Sequence, residues 1–90
     1  MLQENQVASE VEGFIRERFQ VGADDRRFGP EINLWEEGYV DSTGAVELIV
    51  YLEQSYGVRL PEEVLFDPDF TCIRGIARLV ARAVETPAAA

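Results

Sequence analysis

Ninety residues, 47% of them hydrophobic, are enough for one small domain with a modest core and leave no room for a second core. Seventeen acidic residues against eight basic ones, every one of them arginine, give a net charge of −9. A surface of that sign repels nucleic-acid phosphates and anionic membranes and favours partners with basic patches. Histidine is absent, which removes the commonest general base and metal ligand at neutral pH, and the single cysteine, Cys72, excludes an internal disulfide. No leader segment and no apolar run long enough for a bilayer is read, so membrane insertion is not expected and the cytoplasm follows by exclusion.

In chain order, the first segment, Glu4 to Phe19, has apolar residues at Val7, Val11, Phe14, Ile15 and Phe19, the spacing of an amphipathic helix. A long connection follows from Gln20 to Asp41. Its apolar residues Ile32, Leu34, Trp35, Tyr39 and Val40 predict that it packs down on the domain, because free loops of this length are unusual in small domains. The next helix is expected over Ser42 to Tyr56, with Asp41 as N-cap and Gly57 just beyond its end. Ala45, Leu48, Ile49, Leu52 and Tyr56 share its core face, while Thr43, Glu47, Val50 and Gln54 fall on the opposite face.

Leu60 to Phe66 reads as a short helical turn with Pro61 near its first position, broken by Asp67-Pro68-Asp69. A last helix is expected after Thr71 as N-cap. Ile73, Ile76, Val80 and Val84 would face its core, and Arg74, Arg78 and Arg82 would form a solvated ridge. The predicted fold is an all-α four-helix bundle, three main helices and one short one, with a long first loop. The domain is expected over residues 1–85, with 86–90 as a disordered tail.

The chemically suggestive run is Gly38-Tyr39-Val40-Asp41-Ser42. A serine hydroxyl at a helix start stands at the end of a loop, where backbone N–H groups and the helix dipole favour an anion. Asp41 places a carboxylate beside it that can help hold a metal ion during a phosphoryl transfer. With no histidine to activate it, Ser42 reads as the substrate of another enzyme and not as a nucleophile. The bare Asp-Ser pair is equally a plain helix cap.

The wider run from Asn33 to Leu52 closely resembles the acyl carrier and peptidyl carrier protein family. Leu34, Gly38, Asp41, Ser42, Val46, Glu47 and Leu52 fill that family's characteristic positions, and Tyr56-Gly57-Val58, Pro61 and the final helix also fit. The resemblance implies a non-catalytic carrier with 4′-phosphopantetheine on Ser42. A phosphopantetheinyl transferase would deliver it from coenzyme A with Mg²⁺, and Asp41 would help bind that metal. The arm's thiol would hold an acyl or aminoacyl thioester, loaded by a ligase or acyltransferase for downstream enzymes of a secondary-metabolic pathway of polyketide or non-ribosomal peptide type.

The resemblance further implies a partner face on the second helix, where Thr43, Glu47, Val50 and Glu53, with Glu36 and Glu37 in the preceding loop, would meet basic docking patches. Thr43 and Gly44 depart from the fatty-acid-type pattern. Thr43 is polar and β-branched, and Gly44 resembles the subgroup that includes D-alanyl carrier proteins and discrete carriers of small polar units, so a bulky fatty chain is an unexpected cargo. A monomer is expected, and the all-arginine basic set and alanine-rich end hint at a GC-rich bacterial source. Trp35 is expected to pack against the bundle and Cys72 to be a small structural residue; Asp67 and Asp69 lack calcium-loop spacing. The competing reading is an acidic helical interaction module without a prosthetic group, in which Ser42 is only a cap.

Overall fold

The computed structural model describes residues 3–85. They form three α-helices, α1 (Glu4–Arg18), α2 (Ser42–Tyr56) and α3 (Ile73–Glu85), with two 3₁₀ turns, Glu62–Phe66 and Pro68–Thr71, between α2 and α3. The all-α class is as expected, and α1 and α2 lie where the sequence places them. The tail at 86–90 lies outside the described residues.

The expected short helical turn is present as the first 3₁₀ turn, Glu62–Phe66, and a second one, Pro68–Thr71, follows where only a break was expected. Their bonds span three residues: the Val64 amide donates to the Pro61 carbonyl at 2.9 Å, Asp67 to Val64 at 3.0 Å, and Phe70 to Asp67 at 2.9 Å. Pro68 has no N–H and a fixed φ, so an α-helical ladder cannot run through it. Pro61 precedes the first turn as its extended cap residue and does not sit inside it.

One core joins every element. Val7, Val11 and Ile15 of α1 are fully buried, and they meet Leu48 and Leu52 of α2 and Ile73, Ile76 and Val80 of α3. Val64 and Phe70 carry the 3₁₀ turns into the same cluster. Burial of each such side chain contributes about 1.5–3 kcal/mol, which outweighs the helix cost of the exposed Gly13 in α1. The link out of α2 is closed by Gly57, which has a left-handed φ of 65°. Glu53 completes the closure, its carboxylate accepting from the Leu60 amide at 2.8 Å.

Three expectations about α3 change. Cys72, not Thr71, caps it: the Cys72 sulfur accepts from the Gly75 amide at 3.3 Å and its carbonyl accepts from Ile76 at 2.9 Å. Thr71 is engaged elsewhere, its hydroxyl donating to the Pro68 carbonyl at 2.7 Å. Val84 is 39% exposed in the last turn, past the end of the core. The arginine ridge is at the surface but paired: Arg78 and Arg82 both reach Asp69, at 3.0 and 2.9 Å, and Arg74 faces Glu31 at 3.6 Å. The hydrogen bond from Arg78 holds the Asp69 carboxyl below its ordinary range.

Gly75 is where the second 3₁₀ turn rests on α3. A Cβ there would lie 2.0 Å from the Asp69 carbonyl oxygen, a backbone atom with no freedom to withdraw. Gly75→Ala is therefore expected to destabilise the fold by about 3 kcal/mol or more, the upper end of overpacking costs, despite alanine's better helix propensity. Urea unfolding followed by circular dichroism measures this, and Gly13→Ala, at an open site on α1, is expected to be neutral or stabilising.

Candidate functional site

The 20–41 connection leaves α1 through a tight reversal. Gln20 adopts a left-handed φ of 56°, and the Val21 amide donates back to the Arg16 carbonyl at 3.0 Å. This is the bonding of a glycine-type helix ending, carried here by a residue with a side chain. Next, Asp25 accepts from the amides of Arg27 and Phe28 at 2.9 and 3.2 Å, which turns the Phe28 ring inward. The Tyr39 hydroxyl donates to the other Asp25 oxygen at 2.8 Å, and the Tyr39 and Phe28 rings meet edge to face. That hydroxyl lowers the Asp25 carboxyl, while partial burial and the same bond raise the Tyr39 phenol.

The second half of the connection is stitched to the second 3₁₀ turn and to α3. The Arg74 amide donates to the Pro30 carbonyl at 2.9 Å, and the Leu34 amide to the Thr71 carbonyl at 2.7 Å. The Asn33 side chain caps a single turn by accepting from the Trp35 and Glu36 amides, each at 3.0 Å. Gly38, with a φ of 81°, reverses the chain so that Tyr39 and Val40 both donate to the Leu34 carbonyl, at 2.9 and 3.2 Å. Trp35 packs as expected, its indole N–H donating to the Phe70 carbonyl at 3.0 Å with its ring over Phe70. Leu34 and Val40 are buried, so the loop is packed down.

The loop therefore delivers Asp41 in an extended conformation at the start of α2. Its Oδ1 accepts from the Gly44 amide at 2.8 Å, the N-cap bond the sequence predicts. Ser42 is the first residue of α2 and is exposed, as are Asp41 and Thr43. By helix geometry the Ser42 and Thr43 amides have no acceptor within the helix, so this end can receive an anionic group. Gly44 has a packing reason of its own: a Cβ there would stand 2.7 and 2.9 Å from two ring carbons of Phe19. The end of α1 lies directly beneath the first turn of α2.

The predicted partner residues fall in three places. Thr43, Glu47 and Val50 share the outer side of α2, with Glu47 ion-paired to Arg18 of α1. Glu36 and Glu37 stand exposed on the preceding loop, and Glu37 pairs with Arg27. Glu53 is drawn instead to the Leu60 amide. Sequence reasoning used Val46 only as a motif position, yet it is 56% exposed, beside Val50 at 44%. Its omission from the predicted core face was the available signal. Both valines line a shallow groove of about 370 Å³ between α1 and α2, floored by the stacked Phe14 and Tyr51 rings and edged by Arg18, Glu47 and Gln54.

A family model described as a phosphopantetheine attachment site matches residues 10–80. A D-alanyl carrier protein of Bacillus velezensis is 47% identical over 32 residues, 36% of this chain and 41% of that protein. A D-alanyl carrier protein of Lacticaseibacillus casei is 40% identical over 40 residues, 44% of this chain and 49% of that protein. The matched segments thus span less than half the length of these curated relatives. No described helix is long and apolar enough to cross a membrane.

The cap can be weighed directly. Asp41→Ala is expected to cost about 1 kcal/mol in chemical denaturation, whereas Asp41→Asn retains most of that stability because asparagine caps equally well. Equal losses in the two variants would show that the carboxylate charge, and not the cap bond, is what α2 uses.

Proposed function

The chain belongs to the phosphopantetheine-attachment family and carries a covalent 4′-phosphopantetheine, and from that premise we propose that Ser42 is the residue that bears it. The observation that carries this reading is position: within the matched span, Ser42 is an exposed hydroxyl at the first residue of a capped helix, at the end of a loop fixed on both sides. An esterified phosphate there lies beside the Ser42 and Thr43 amides, where the helix dipole contributes about 0.3–1 kcal/mol. Asp41 uses Oδ1 for the cap bond, and its exposed carboxylate supports a metal ion in the transferase complex.

The arm supplies a thiol that holds a thioester. The chain supplies the tether and the presentation, which raise the cargo's effective concentration at each partner enzyme. With no histidine base, it catalyses nothing in this reading and serves as substrate for a transferase, a loading ligase or acyltransferase, and downstream enzymes. The cargo is a small polar acyl or aminoacyl unit, used in a bacterial pathway of secondary-metabolite type in the cytoplasm. Thr43 and the naming of both relatives as D-alanyl carriers support the size of the cargo. Gly44 supports it less, because the Phe19 ring already crowds any side chain there.

Partners dock on the outer side of α2, through Thr43, Val46, Glu47 and Val50, with Glu36 and Glu37 at its upper edge. Two exposed valines among acidic side chains suit an enzyme surface that combines an apolar patch with a basic rim. Glu53 contributes by closing the end of α2.

Incubation with coenzyme A, Mg²⁺ and a broad-specificity phosphopantetheinyl transferase, read by intact mass, tests the reading. The wild-type chain is expected to gain one phosphopantetheine unit and Ser42→Ala none. No gain on wild type, or an equal gain on Ser42→Ala, would refute Ser42 as the attachment residue.

A further inference from the structure

We propose that Arg18 and Arg27 decide which enzymes can dock beside Ser42. They turn away a docking patch that is basic throughout and admit one that sets carboxylates opposite both guanidiniums. The inference rests on the docking face proposed above, the outer side of α2 with the loop before it.

Two of the acids expected to meet basic partners are covered. Arg18 pairs with Glu47, and Arg27 pairs with Glu37. Both pairs are lopsided. The Arg18 side chain is 56% exposed against 33% for Glu47, and Arg27 is 70% exposed against 30% for Glu37. The guanidinium is the outer member each time, so an approaching surface meets the cation first. In each pair one Nη2 contacts one Oε1. A guanidinium carries several N–H donors in a rigid fork, so donors remain for a second carboxylate.

Both arginines are set in place by the backbone and not by these pairs. Arg18 closes α1, and the next residue, Phe19, has its ring against Gly44 in the first turn of α2. Arg18 also edges the groove that holds Val46 and Val50, so an enzyme seated on those valines comes within its reach. The Arg27 amide donates to Asp25 at 2.9 Å. The same carboxylate accepts at 2.8 Å from the Tyr39 hydroxyl, close before Ser42 in the chain. Glu36 and Asp41 are exposed, and among the described residues no arginine pairs with either.

The rim of the docking face is therefore of two signs, anionic at Glu36 and Asp41 and cationic at Arg18 and Arg27. A uniformly basic patch gains at the acids and meets like charge at the arginines. A patch with carboxylates opposite the arginines gains at every point. It is also held in one orientation, because turning it brings like charges together. Arg18 and Arg27 are the repulsive element that selection between partners needs.

The test uses two broad-specificity phosphopantetheinyl transferases, one with a docking surface basic throughout and one whose surface also carries carboxylates. Loading from coenzyme A is followed by mass at varied carrier concentration, with the fold of each variant checked by circular dichroism. With the basic transferase, Arg18→Ala and Arg27→Ala are each expected to lower KM about two- to fivefold, the scale of one exposed charge pair. The change falls on KM and not on kcat. Arg18→Lys, which keeps the charge, is expected to match wild type. The double reversal Arg18→Glu/Arg27→Glu is expected to lower KM further for the basic transferase and to raise it for the mixed one. In about 1 M salt, where a charge reaches only about 3 Å, these differences are expected to vanish. The same KM across the variants, or shifts in one direction with both transferases, would overturn the proposal while leaving Ser42 as the attachment residue. A KM unmoved by Val50→Asp with both enzymes would remove the docking face, and the selection with it. Failure of wild type to load at all would remove Ser42 itself.

Discussion

The Leu34 amide donates to the Thr71 carbonyl at 2.7 Å, and the Leu34 carbonyl accepts from both Tyr39 and Val40. The side chain between them is fully buried. This one residue ties the middle of a long loop to the approach of α3 and fixes where α2 begins eight residues later, at Ser42. Each bond contributes about 1 kcal/mol net and the buried side chain about 1.5–3 kcal/mol. These terms are small singly, but they act on the same few backbone atoms. Without them, Asp41 would still be able to cap a helix, yet Ser42 would have no fixed place on the surface.

The net charge of −9 is distributed with the same economy. Arginines take up acids at the joints of the fold: Arg18 with Glu47 across α1 and α2, Arg27 with Glu37 across the loop, and Arg78 and Arg82 with Asp69 across the second 3₁₀ turn and α3. Exposed pairs of this kind add little stability. Their consequence is positional. They hold neighbouring segments in register and leave Asp41, Glu36 and the outer side of α2 as the acidic surroundings of Ser42, which suits basic partner surfaces and repels acidic ones.

How much of this is legible in the sequence follows from how local each cause is. The bounds of α2 are legible because Asp41 and Gly57 act on backbone groups within a few residues of themselves. The core faces of α1 and α2 are legible because they rest on helical periodicity alone, and the all-α class follows from them. Causes that act through space are not. Gly44 and Gly75 are set by the Phe19 ring and the Asp69 carbonyl, neither of which a sequence window contains. Cys72 displaces Thr71 as the cap because the Thr71 carbonyl is claimed by Leu34, 37 residues earlier by the numbering of the two. The second 3₁₀ turn starts at Pro68, a visible residue whose effect reads in the sequence as an end and not as a restart. As a candidate attachment residue, Ser42 is legible only through the resemblance to a family, since a cap and an attachment site use the same side chains.

The central claim is that Ser42 is presented by a loop held as firmly as the helices around it. Amide hydrogen exchange at the Leu34, Tyr39 and Val40 positions addresses it most directly, since all three amides are donors in the Leu34 stitch. They are expected to exchange as slowly as the core amides of α1 and α3, opening only with the whole fold. Exchange at those positions at unprotected rates, while the α1 and α3 amides remain protected, would contradict the account and show Ser42 at the end of a loose segment.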